Sequence, residues 1–362
     1  MSMSSRRRHA ALATAALLLT ACQDATSPAN GAFDAPRLVA GVTAVEKVAA
    51  SSAIGSLTQL ARYGGGSAVG ASVAAARVAS GGDARWSVGL ADAVSRLATR
   101  ALDAGSALIP VMRSNALGKV YVYDATLGRY VASARSGAPS NGARFILYAE
   151  SSSGVPITGQ ETGYADLTDE KRASAGVAGV KLVVVLGGVT RVSYAFDLAI
   201  AGGTPNFSLQ GFLVDGADRL DFTVDATSAL LGNGTATVKA RLAAPQQGFT
   251  VNATIKGRPD SRDGEIDLTI ASASDEVVVD AATVNNTLVA TFTVNGTLLA
   301  NAKGNPESPE ITGANGRTLN ADELRALQKI VEMAGAVFDL VQKLVEPAGA
   351  ILLVALGLGL GA

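Results

Sequence analysis

The stretch "VKLVVVLGGVTRVSYAFDLAIAGG", residues 180–203, decides the fold. It is two apolar runs around Gly187-Gly188, and paired glycines supply the positive φ that a tight hairpin turn requires. After the turn the period is two. Val192, Tyr194, Phe196, Leu198 and Ile200 fall on one face, and Arg191, Ser193, Ala195, Asp197 and Ala199 on the other. Side chains alternate across a strand, so this run has one dry face and one wet face.

The same reading extends in both directions. Upstream, "KVYVYDATLGRYVASA" is strand, turn and strand, and "ARFILYA" follows. Downstream, Leu220, Phe222 and Val224 alternate with polar residues. So do Val238, Ala240 and Leu242, then Phe249, Val251, Ala253 and Ile255, then Leu268 and Ile270 after Ile266. "ATFTVNGTLLANA" closes the series, with Asn295-Gly296 as a type I′ turn signal. The pattern predicts about ten to twelve short strands joined by Gly-, Asn- and Asp-rich turns. Short turns make successive strands antiparallel neighbours. The expected fold is mainly β (α+β): an antiparallel meander over residues 118–305, forming a sandwich or half-barrel.

Helices are expected on either side. Residues 37–115 are Ala-rich. One helix is expected around Val42 to Tyr63. Another follows Ser87, where Leu90, Ala93, Val94, Leu97, Ala101 and Ala104 recur at steps of three and four. In the C-terminal span, 318–362, Asn320 and Glu323 have the spacing of a capping box. Leu324, Leu327, Ile330, Val331, Ala334, Val337, Phe338, Val341, Leu344 and Val345 form an apolar stripe that is expected to pack on the sheet. Pro347 is expected to end or kink this helix. The tail 348–362 is apolar but too short and too glycine-rich for a membrane span, which favours a buried terminal segment.

The chain opens "MSMSSRRRHAALATAALLLTAC". Three arginines precede an apolar stretch too short to span a bilayer, and small residues lead to Cys22, the single cysteine of the chain. Leu19-Thr20-Ala21-Cys22 resembles the lipobox of bacterial lipoproteins. The resemblance covers the leader alone. It implies a signal peptide over residues 1–21, cleavage before Cys22, and acylation of the Cys22 sulfur. Residues 22–36 then form a flexible tether. The implied partner is the lipid bilayer, and the implied location is the periplasmic side or surface of the cell envelope. Gln23, where some sorting systems use Asp for inner-membrane retention, weakly favours the outer membrane.

The composition excludes much chemistry. The single histidine, His9, lies in the leader. Cleavage would leave a chain with no imidazole and no free thiol. Ser-His-Asp and Cys-His nucleophiles, His/Cys zinc sites and haem or iron–sulfur ligation then have no residues to build on. The whole chain carries a net charge of −1, and losing the leader's three arginines makes it more acidic. No field for nucleic acid results. No cofactor is expected.

Two acidic groups remain as candidates for calcium: Asp215, Asp218 and Asp221, and Asp260, Asp263 and Glu265. Both fall at hairpin turns, where Asp-Gly is ordinary turn chemistry. Tyr121, Tyr123, Tyr130 and Tyr148 cluster in the first strands, as aromatic residues tend to in any strand. The expected role is non-catalytic, structural or binding, with an apolar ligand between sheet and helix, or an envelope protein, as partner. The shape looks like the half-barrel of lipoprotein-sorting carriers, an analogy of architecture without a shared motif. The alternative is a carboxylate-based enzyme acting on glycan, which needs paired acids about 5 to 10 Å apart.

Overall fold

The computed structural model describes residues 35–63, 112, 114–170, 176–201, 204–227, 236–257, 263–306 and 308–355. Cys22, the tether up to residue 34, the helix expected after Ser87, Asp260 and the last seven residues lie outside these, and Ala35 and Pro36, expected in the tether, instead begin a helix. The described chain is mostly β, with fifteen strands, two N-terminal helices and one long C-terminal helix. It divides into two compact units: Lys47–Leu231 with Val341–Ala362, and Met1–Glu46 with Gly232–Leu340.

In the first of these units the strands are β1 (Lys119–Asp124), β2 (Arg129–Ser133), β3 (Gly142–Glu150), β4 (Pro156–Asp169), β5 (Gly176–Leu186), β6 (Val189–Ala201), β7 (Thr204–Asp215) and β8 (Asp218–Thr227). Their order is β2-β1-β3-β4-β5-β6-β7-β8. Pairing is antiparallel except where β1 lies parallel to β3, with Val120 opposite Arg144. The expectation that successive strands are neighbours fails here, because the chain from Ala134 to Asn141 is long enough to pass from β2 across to β3. The residues read as the dry face are buried: Val192, Tyr194, Phe196, Leu220, Phe222 and Val224 are all at most 5 % exposed. Gly187 and Gly188 adopt φ of 56° and 78°, as the hairpin demands.

Helix α2 (Ser52–Tyr63) packs on β3, β5 and β7. Ala53, Leu57 and Leu60 are buried along it. It is separate from helix α1 (Ala35–Ala49), so the single helix expected over 42–63 is broken. Ser51 stands at the N-cap position of α2, and its carbonyl accepts from the amides of Ile54 and Gly55.

The other unit holds β9 (Ala236–Ala244), β10 (Phe249–Gly257), β11 (Gly264–Ala271), β12 (Glu276–Val284), β13 (Thr287–Val294), β14 (Thr297–Gly304) and β15 (Glu310–Gly313), an uninterrupted antiparallel meander. Asn295-Gly296 and Asn285-Asn286 turn its hairpins with positive φ. On α1, Leu38, Val42 and Val45 are buried, and Gly41 meets the Phe249 ring so closely that a Cβ would lie 2.4 Å from a ring carbon. Glycine there lets helix backbone rest on an aromatic face.

Helix α3 (Ala321–Ala355) begins in this unit and ends in the other. Its capping box forms as read. Asn320 Oδ1 accepts from the amides of Asp322 (3.0 Å) and Glu323 (2.9 Å), and Glu323 Oε2 accepts from the Asn320 amide (2.9 Å). Leu327, Ile330, Val337, Val341 and Leu344 are buried, as are Met333 and Leu340. Pro347 does not end the helix, which runs on to Ala355. Among the described residues no single helix is long and apolar enough to cross a membrane.

Candidate functional site

The acidic clusters are committed to partners or split by strand geometry. Asp215 and Asp218 face each other across the β7–β8 turn. Asp221 is three residues beyond Asp218 on the same strand, so it points to the opposite face and cannot join them. Asp218 takes the Lys47 ammonium at 3.1 Å, and Asp221 takes the Arg219 guanidinium at 2.7 Å. In the second cluster Asp263 accepts from the Asn285 amide at 2.7 Å, and Glu265 pairs with Lys256 directly across the strands at 2.8 Å. Among the described residues no three His, Cys, Asp or Glu side chains gather to hold a metal ion.

The tyrosines come together, but as core. Tyr63, Tyr123, Tyr130, Phe145 and Tyr121 form a chain of rings with centroids 5.0 to 6.1 Å apart. Tyr121, Tyr123, Tyr130 and Tyr148 are all at most 7 % exposed, so their faces are spent on one another rather than offered to a sugar. Burial pushes the phenols of Tyr121, Tyr123, Tyr130 and Tyr148 up, which keeps them neutral.

Sequence reasoning missed Gln59, the polar centre of this cluster. The β1 pairing of β3 ends at Phe145, and the β3–β4 register shifts at Tyr148, so ladder bonds on the β1 side are missing there. Gln59, reaching in from α2, replaces the lost bonds. Its Nε2 donates to the Tyr148 carbonyl at 3.0 Å, and its Oε1 accepts from the Tyr148 amide at 3.2 Å. Tyr130 donates to the Ile146 carbonyl at 2.7 Å and lies 3.1 Å from Gln59 Oε1. A lone Gln between Thr58 and Leu60 carries no motif. The hint would have been its place among the buried positions of an amphipathic helix.

The wet face of this unit carries paired charges. Arg144 donates to both oxygens of Asp166, its cross-strand partner, at 2.7 Å each, and lies over the Tyr164 ring at 3.8 Å. Arg135 holds the Glu161 carboxyl below the usual carboxylate range. Arg317 does the same to Glu323, and Lys329 to Glu332. Among the described residues, the carboxyls of Glu161, Glu323 and Glu332 are thus held down by the cations bonded to them.

Two polar atoms stand apart. The Tyr194 hydroxyl is fully buried on the dry face of β6 with no hydrogen-bond partner, and the Ser51 hydroxyl is likewise unpartnered. Burial pushes the Tyr194 phenol up. The chain matches no protein-family model, no curated protein and no solved structure.

Proposed function

We propose that this chain is an exported, membrane-anchored cell-envelope lipoprotein, held by acyl chains on Cys22, with a non-catalytic binding or structural role. The observation that carries this reading is the leader, in which Arg6-Arg7-Arg8, a short apolar stretch and Leu19-Thr20-Ala21-Cys22 stand in the order that export and lipidation need. Two or more acyl chains hold a protein firmly where one does so marginally. Support also comes from what the cleaved chain would lack, imidazole and free thiol, and from carboxyls engaged by cations.

The binding form of this role is favoured by Tyr194. An unpaired buried hydroxyl costs about 1–3 kcal/mol, and an apolar ligand bearing an acceptor, such as a fatty acyl ester, would satisfy it. Mass spectrometry of the amino-terminal peptide from detergent-extracted protein tests the anchor, together with Cys22→Ser. Acylated Cys22, and release of the variant into the soluble fraction, are the expected results. A peptide starting elsewhere, or unchanged membrane partition, refutes the anchor. Non-covalently held lipid extracted from the purified protein should fall in amount with Tyr194→Phe, and a wild type that releases no such lipid refutes the ligand.

A further inference from the structure

We propose that one end of the unit Lys47–Leu231 lies against the bilayer, through the aliphatic tips of its hairpins. The inference rests on the anchor reading and adds a surface to it. In this unit β1 runs parallel to β3, and β3, β5 and β7 alternate with antiparallel partners. The β1–β2, β3–β4, β5–β6 and β7–β8 turns therefore all emerge at one end of the strands. Three of those turns present a large aliphatic side chain to solvent: Leu127 at 55 % exposure, Val155 at 40 % and Val189 at 47 %. They are the exposed large hydrophobic residues described in this unit. The remaining two, Val284 and Val289, belong to a single hairpin of the other unit.

The residues of the three tips carry no charge of their own, although Asp124 accepts from the Leu127 amide at 3.0 Å and Arg62 donates to the Gly154 carbonyl at 3.3 Å. "ATLG" (125–128), "SSSGV" (151–155) and "GGV" (187–189) contain no Asp, Glu, Lys or Arg. A hairpin tip in water ordinarily carries polar or charged turn residues, and exposed aliphatic side chains flanked by polar groups suit the boundary between headgroups and acyl chains. The position of the anchor argues for the same occupant. Lys47, near the end of α1, is bonded to Asp218 at the β7–β8 turn, which belongs to this end. From Cys22 to α1 is a path of at most about 45 Å even fully extended. The fifteen-residue helix adds about 22 Å. The bilayer holding Cys22 is thus within reach of this end, and a short tether raises the local concentration of a surface too weak to bind alone.

The test uses acylated full-length protein, in which lipid caps the one native thiol. Leu127→Cys, Val155→Cys and Val189→Cys are labelled singly with an environment-sensitive fluorophore. Ser140→Cys, exposed at the opposite end beside the start of β3, is the control. Each is placed in phosphatidylcholine vesicles with and without nitroxide-bearing phosphatidylcholine. Labels at the three tips should lose about half their emission or more, as insertion to roughly 5–10 Å would produce, while the Ser140 label keeps its own. Acylated Cys22 with unquenched tips, or quenching equal to the control, overturns this inference alone. A lipid-free Cys22 overturns the anchor reading and this inference together.

Discussion

Gly211 sits in the middle of β7, where glycine weakens a strand, because nothing larger fits. A Cβ there would lie 1.9 Å from the Ser193 carbonyl oxygen and 3.0 Å from the Phe222 ring. Tyr194 and Phe222 stand opposite Gly211 on the two flanking strands, and their rings meet at 4.8 Å across it. The rings fill the space the glycine leaves. Gly211→Ala should lower the unfolding free energy by about 2–4 kcal/mol, read from urea denaturation, and an unchanged midpoint would show that the rings do not need the glycine. Glu323 makes a second prediction. Arg317 bonds its carboxylate and the Asn320 amide adds to this, so its folded pKa lies below the unfolded one. That stabilisation is present above the unfolded value, about 4.3, and is lost as pH falls through the folded value. Thermal unfolding from pH 6 downwards should therefore show a steeper acid decline in the wild type than in Glu323→Gln. Asn320→Ala, which removes the reciprocal cap, should cost about 1 kcal/mol.

At the scale of elements, α2 is locked to β3 by one amide. Gln59→Ala would strand the Tyr148 amide and carbonyl in a buried site and open a small void. A loss of about 2–4 kcal/mol is expected, and hydrogen exchange at Tyr148 should accelerate. Protection equal to wild type would mean that another group serves Tyr148. This docking was illegible beforehand, because it depends on a side-chain contact between residues 89 apart in sequence. Most of the strands were legible, since alternation and turn chemistry agreed. Four were not read. In β4, "PITGQETGYADLTD" is too polar and glycine-rich to announce itself. In β7, Pro205 and Gly211 interrupt the period. "EVVVDAATV" of β12 begins with a continuous apolar run. β15 has only four residues. Pro347, expected to end or kink the last helix, does not end it. The two acidic clusters were read as turn residues, and the cations that pair with Asp218, Asp221 and Glu265 became visible only once the strands were in register.

For the whole molecule, stability has to come from burial and backbone pairing, because a single cysteine allows no internal disulfide. Asp218, Asp221, Asp263 and Glu265 are bonded within the protein, so millimolar calcium should leave Tm unchanged in thermal scans. A rise with calcium would reveal a site that those cations do not block. The strands at the margins carry a further consequence. β2 has five residues and β15 four, the two shortest of all, while β4 has fourteen. Among the described strands, each has a neighbour on one side only. A bare ribbon edge is a template on which other chains can stack into fibrils. Trimming both borders to a few amides leaves little for a stranger to copy, a protection of value to any β-rich protein at high local concentration.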